Sequence, residues 1–217
     1  MTIEKGAPWG RIALTPHDTV VGNSEEAVAR AVADGARHVV LTSGDLLRAV
    51  GTSPGETPPR VGEPSLQLPC DAFEVIINDD VLTTAVSSVV VGTRFWPRLW
   101  ISAGGFLGRL NVAPRAHPND GLLDALEFRD RPRPRELLAI RRRMVLGDHL
   151  PHPLLAMHRQ SAIAWPISED SPGSAPTITP RRSVITVDGR RFSGVYRASI
   201  AVKPDAFILC VPAPSVV

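Results

Sequence analysis

Apolar residues in this chain come in short runs, many of them β-branched and divided by proline and glycine. That pattern predicts strands joined by stiff loops, with few helices. Residues 1–18 read as a loosely held arm, with Trp9 and Ile12 as anchors. A short strand follows at 19–21. Asn23 or Ser24 then caps a helix that carries Glu25 and Glu26 in its first turn, buries Val28, Ala31 and Val32, and ends at Gly35. A second buried strand is predicted at 38–41, then Thr42-Ser43-Gly44 and a helix from Asp45 to about Val50. This makes a β-α-β-α unit over residues 1–52.

Residues 53–69 are rich in proline and read as a linker. From Cys70 to Val217 the pattern is β. Strands are predicted at 73–77 and 82–91, with a turn at 78–80 between them. Trp96 and Trp100 flank Pro97 and Arg98 as a partly exposed aromatic patch. A strand at 125–128 leads to alternating arginines, and Pro134 opens a helix running to about Val145. Leu137, Leu138, Ile140 and Met144 are expected to face inward, and Arg135, Arg142 and Arg143 outward. Residues 168–182 read as a loop, and strands close the chain at 183–187, 195–202 and 206–211. Asp188-Gly189 supplies the turn of a hairpin. The fold class is therefore α+β, mainly β.

Composition narrows the function classes. A formal charge of +2 does not imply a nucleic-acid partner, and none is expected. Cys70 and Cys210 sit in apolar runs without metal-ligand spacing, which reads as buried free thiols. No apolar run approaches the ~20 residues needed to span a bilayer, and no signal-peptide pattern opens the chain. The expected location is cytoplasmic.

Candidate chemistry gathers at four places. In Asn111–Asp124, Pro114 and Pro118 stiffen the path and Asn119-Asp120-Gly121 makes a tight turn. Asp120, nearby carbonyls such as that of Leu122, and His117 would form an oxygen-rich pocket for a hard cation, Mg or Ca. An ordinary loop with a self-capping Asp is the alternative. Gly44 and Asp45, at a strand-to-helix junction with Arg48 one turn on, fit either an anion site or a plain turn. His149 and His152, beside Asp148, fit a structural turn or a zinc ligand pair. The arginines of the 134–145 helix fit a solvated face, or a platform for lipid phosphates and an anionic membrane surface.

Two of these stretches carry a family resemblance. Pro114, Ala116, Asp120, Gly121, Leu122, Leu123 and Asp124 match the Ala-Pro-x-Ala-x-x-x-Asp-Gly-Leu-Leu-Asp signature of the diacylglycerol kinase and YegS-like lipid kinases. Gly44 to Gly51 resembles that family's Asn-Asp-Phe-Ala-Arg-x-Leu-Gly helix, with Asp45, Arg48 and Gly51 matching and Gly44 in place of the Asn. His149 to Pro153, together with Arg115 to Gly121, is similar to short actinobacterial-type proteins that carry only the C-terminal domain. The resemblance implies a C-terminal β-sandwich over 70–217, a truncated nucleotide domain before it, and a structural divalent cation at the Asp120 loop.

The resemblance also shows what is altered. The family's Gly-Gly-Asp-Gly-Thr phosphate loop occurs nowhere in the chain. Its Asp-Gly-Glu turn, whose Glu is the general base, corresponds to Asp188-Gly189-Arg190. A guanidinium stays protonated and accepts no proton, although it can bind a phosphate. The expectation is a degenerate lipid-kinase relative that binds a lipid or anionic small molecule and does not turn over ATP. One alternative is an active ATP-dependent lipid kinase using a compensating acid, Asp45 or Asp124. Another is a regulatory subunit that docks on a companion kinase through Trp96 and Trp100. Peripheral attachment to the inner membrane face would be compatible with each.

Overall fold

A computed structural model describes residues 9–52, 55–93, 95–167 and 183–214. The loop expected at 168–182 lies outside the described residues. The chain opens with β1 (Arg11–Leu14) and β2 (Val20–Gly22), then α1 (Glu25–Ala33), β3 (His38–Leu41) and α2 (Asp45–Ala49). Ser24 caps α1, its side chain accepting from the Ala27 N–H at 3.2 Å, and two acids complement the N-terminal dipole end. Next come β4 (Pro64–Ile77), β5 (Val81–Ala85), β6 (Ser88–Thr93), β7 (Trp96–Ser102) and a small hairpin of β8 (Phe106–Leu107) and β9 (Leu110–Asn111). After β10 (Leu123–Phe128) come α3 (Pro134–Met144), β11 (Leu155–Gln160) and β12 (Ala162–Trp165). The chain ends with β13 (Ser183–Val187), β14 (Arg190–Val195) and β15 (Ala198–Pro212).

Two sheets carry the molecule. One has the order β1-β4-β15-β3-β2, with β5 also on β4 and β12 also on β15; the other has the order β11-β10-β7-β6-β13-β14. In the first sheet β2 and β3, and β3 and β15, pair in parallel, while its remaining pairs are antiparallel. The fold is α+β and mainly β.

β4 and β15 form the spine. They pair antiparallel from Ala198 opposite Ile77 to Pro212 opposite Ser65, with one irregularity between Lys203 and Phe207. One half of the pair, including Phe73, Val75, Ile77 and Ile200, packs on Val91, Leu99, Ile101 and Ile185 of the second sheet. The other half, including Leu68, Cys70, Phe207 and Leu209, packs under Val28 and Val32 of α1 and Leu46 of α2. A third cluster lies on the far face of the second sheet, where Leu137, Ile140 and Met144 of α3 cover Trp100, Leu126 and Phe128.

Several expectations change. The segment expected as a linker already enters β4 at Pro64, and β4 runs through Cys70 without a break. The α/β piece and the sandwich therefore share two strands. From Trp9 onward the expected arm is tied down, with β1 registered on β4 and Trp9 Nε1 donating to Pro69 O at 3.0 Å; its residues 1–8 lie outside the described residues. The single strand expected at 82–91 divides into β5 and β6, and the two expected at 195–202 and 206–211 join as β15. Trp100 is buried, and Leu138, expected inside, is 52% exposed. Among the described residues, no helix is long and apolar enough to cross a membrane.

Candidate functional site

The first candidate lies at the C-terminal ends of the parallel strands, a usual place for a ligand in such a layer. Gly44 precedes α2 with φ +148° and offers no side-chain cap. Its place is taken by Glu25, from the first turn of α1, whose Oε1 accepts from the Leu46 N–H at 2.8 Å. A Cβ on Gly44 would stand 2.7 Å from that oxygen, so the close approach requires glycine. Glu25 also bonds to Ser87 and the Asp45 backbone; burial pushes its carboxyl above the ordinary range. The N-terminal end of α2, predicted as an anion site, thus holds an anion of the protein's own.

Asp45 and Arg48 are spent on the β8–β9 hairpin. Asp45 Oδ2 accepts from the Gly108 N–H at 2.6 Å, and Arg48 Nη1 donates to the Gly108 carbonyl at 2.7 Å. The Arg48 guanidinium also stacks 4.3 Å from the centre of the Phe106 ring. Together they clamp one residue from both its N–H and its carbonyl. Beside them a cavity of about 480 Å³ is lined by Ser43, Asp45, Arg48, Thr52, Glu56 and Val211, among others. Asp188 is not part of its wall.

Asp188, at φ +45° in the β13–β14 turn, does different work. Its carboxylate accepts from three successive N–H groups: Val86 at 2.6 Å, Ser87 at 3.1 Å and Ser88 at 2.7 Å. The side chain therefore pins the hairpin to the crossing between β5 and β6. Burial raises its pKa to about 7, opposed by the three N–H bonds, with the Glu25 charge also raising it. Ser87 joins the two acids, donating its N–H to Asp188 and bonding to Glu25 through its side chain. Arg190, at the start of β14, is exposed and stacks 4.9 Å from the Phe192 ring centre.

The second candidate is the Asp120 loop. Asp71, buried on β4, organises it: Oδ2 accepts from the Gly121 N–H at 2.8 Å. Its Oδ1 accepts from Asn119 Nδ2 at 3.2 Å and from the Asp205 N–H at 2.9 Å. Asp120 Oδ1 accepts from the Leu122 N–H at 3.0 Å, and Oδ2 from Arg159 Nη2 at 2.5 Å. Arg159 Nε also lies 3.8 Å from Asp124 Oδ1. Burial first, then the Asp120 charge, pushes Asp124 up to about 6, with Arg159 opposing.

A divalent cation does not fit these residues as they stand. His117 Nδ1 accepts from the Asn119 N–H at 3.1 Å, and its ring meets Trp9 edge-on at 4.4 Å. Among the described residues, no group of three or more His, Cys, Asp and Glu side chains stands ready for a metal ion. Asn119 Oδ1 is a buried acceptor without a hydrogen-bond partner, one oxygen where Ca or Mg takes about six. The positive charge facing Asp120 and Asp124 belongs to Arg159. The two other candidate ligands also part company. His149 is fully buried with Nε2 3.1 Å from the Val112 carbonyl, while His152 Nδ1 accepts from the Leu154 N–H at 3.2 Å.

No protein-family model and no curated protein matches the sequence. Among solved structures, a diacylglycerol kinase from Bacillus anthracis str. Sterne matches with a TM-score of 0.54 and 13% identity, over 92% of this chain and 77% of that one. A putative diacylglycerol kinase from the same source gives a TM-score of 0.54 at 12% identity, over 92% and 80%. A second putative one gives 0.53 at 12%, over 91% and 78%. The fold is diacylglycerol kinase-like. At such identity the likeness speaks for the fold and not for the roles of single residues.

Within this diacylglycerol kinase-like fold, the predicted residues do not converge on one centre. Gly44, Asp45 and Arg48 lie together, Asp188 reaches them only through Ser87 and Glu25, and Asp120 and Asp124 form a separate loop. Sequence reasoning missed Glu25, Asp71 and Arg159. Glu25 read as a helix-dipole acid. An acid inside the apolar β run at 70–77 was the available signal for Asp71. Nothing local marked Arg159.

Proposed function

We propose that this chain is a catalytically degenerate relative of the lipid kinases, binding a lipid or an anionic small molecule without transferring phosphate. The observation that carries it is the Glu25 carboxylate on the Leu46 N–H. A triphosphate placed there would meet a negative group and find those donors already used. Asp188 supports the same reading: its carboxylate is committed to three backbone N–H groups, and the residue two positions on is Arg190. Phosphoryl transfer depends on positioned phosphates and charge stabilisation, and both parts are altered. On this reading the Asp120 loop is held by Arg159, in place of the Mg or Ca that the resemblance implies.

The cavity beside Ser43 and Arg48 favours one other reading, a working ATP-dependent kinase with a displaced nucleotide site. Calorimetric titration with Mg-ATP, paired with a radiolabel transfer assay on diacylglycerol vesicles, separates the two. No heat of binding at millimolar ATP and no labelled lipid is expected. Saturable micromolar binding with product would overturn the proposal. Docking on a companion kinase through Trp96 and Trp100 is disfavoured, because Trp100 is buried and Arg131 stacks on Trp96 at 4.2 Å.

A further inference from the structure

Helix α3 buries Leu137, Ile140 and Met144 against the second sheet, which fixes the face it turns outward. On that outward face Arg135, Leu138, Arg142 and Val145 follow at steps of three, four and three, one stripe along an α-helix. All four are exposed, Leu138 and Val145 at 52% each, and Leu146 just beyond the helix end reaches 82%. Three large apolar side chains left in water on α3 and just past its end are not explained by packing. At the other end, Arg131 stacks on Trp96, whose neighbour Phe95 is 76% exposed.

Charge marks the same surface. Between Arg129 and Leu146 there are seven arginines against two acids, in a chain whose formal charge is only +2. The remainder of the chain is therefore net negative, and its positive charge is gathered here. Glu136 is occupied in accepting from the Arg133 N–H at 2.7 Å, and Arg143 lies 3.6 Å from Asp148. Among the described residues, no acid lies within ion-pair distance of Arg135 or Arg142.

We propose that this face of α3 is a docking surface for an anionic lipid bilayer. Apolar and cationic side chains alternate along one stripe, so they do not form the continuous apolar seam that a partner helix would need. They suit a surface with phosphate outside and hydrocarbon beneath: arginine heads stay with the phosphates while Leu138, Val145 and Leu146 reach past them. At eleven residues α3 is about 16 Å long and lies along the interface without spanning it. The inference goes beyond the degenerate-kinase reading and stands whether or not the chain transfers phosphate.

Vesicle co-sedimentation of the full chain tests it, using phosphatidylglycerol–phosphatidylcholine vesicles against pure phosphatidylcholine. The chain is expected to pellet with the anionic vesicles only, and to be released by high salt. Arg135→Ala/Arg142→Ala should lower partitioning by roughly tenfold or more, and Leu138→Gln/Leu146→Gln by several-fold. The four positions are exposed, so circular dichroism should show every variant folded. Equal binding to neutral vesicles, no binding to anionic ones, or unchanged partitioning in both double variants would overturn the assignment. So would a wild-type dimer in sedimentation equilibrium that Leu138→Gln/Leu146→Gln dissolves while lipid binding stays the same.

Discussion

The α2 junction and the Asp120 loop answer opposite electrostatic demands in the same way. At α2, a helix end with free N–H groups receives a carboxylate, and Glu25 supplies it from α1. At the loop, two carboxylates separated by one turn receive a cation, and Arg159 supplies it from β11. In each case a charge that a ligand could bring is brought by the chain. They differ in depth. The junction is tied into the core through Ser87 and the buried Asp188, whereas Arg159 is half-exposed and bound on one side only. Depth sets what each substitution should cost.

The largest effect is expected at Asp188. Asp188→Ala leaves the N–H groups of Val86, Ser87 and Ser88 buried without an acceptor, at a cost of about 3–5 kcal/mol, read from urea unfolding. A loss below about 1 kcal/mol would mean that the crossing between β5 and β6 is held by something else. Arg159→Ala should cost less, at most about 1 kcal/mol, because solvent screens an exposed pair. The comparison sharpens there: wild-type melting should be the same in chelator and in millimolar Ca, while the Arg159→Ala protein should gain a Ca-dependent rise. A Ca-dependent rise in the wild type would contradict the guanidinium's role.

The pH dependence follows from the same two regions. Asp188, raised to about 7, and Asp124, raised to about 6, keep protons in the folded chain that the unfolded chain gives up near pH 4. Their contribution is whole below about pH 4 and is lost as pH rises through 6 and 7. These two acids pull the urea midpoint down between pH 5 and pH 8, against His117 and His149, whose burial lowers their pKa and pulls the midpoint up over the same range. Asp124→Asn should therefore make the midpoint fall less, or climb more, between pH 5 and pH 7 than in the wild type, and an unchanged profile would reverse the assignment. The smallest effect is expected at Arg190. Arg190→Glu installs the Asp-Gly-Glu turn of the lipid kinases this sequence resembles on an exposed strand end, so stability should stay within about 0.5 kcal/mol. Kinase activity should not appear, since Glu25 still occupies the α2 end.

The sequence was readable where structure is local. Ser24 and the acids after it set the start of α1, the run at 38–41 is β3, Pro134 opens α3 and Asp188-Gly189 turns the last hairpin. Reading failed where a distant strand decides. Pro64 and Pro69 argue for a linker, yet both lie in β4. The Asp71 N–H points away from β15, to the Pro118 carbonyl, and Pro69 two residues earlier points the same way. On that side β1 pairs only as far as Gln67 and β5 begins only at Phe73, so the missing N–H of Pro69 costs no ladder bond. Leu137 and Leu138 are alike by composition, and helix rotation alone buries one and exposes the other. Glu25 and Arg159 act across elements that no short window contains.

The long β4–β15 pair limits how this molecule can move. Two lobes that swing apart to admit a nucleotide need a flexible joint between them, and here the joint would be a double girder of backbone hydrogen bonds. Its single weak point, the irregularity near Asp205, is riveted to the Asp120 loop through Asp71 and Asn119. Whatever enters the cavity beside Arg48 meets walls from the end of β3, α2, Gly55 to Pro59 and the end of β15, with the frame held rigid.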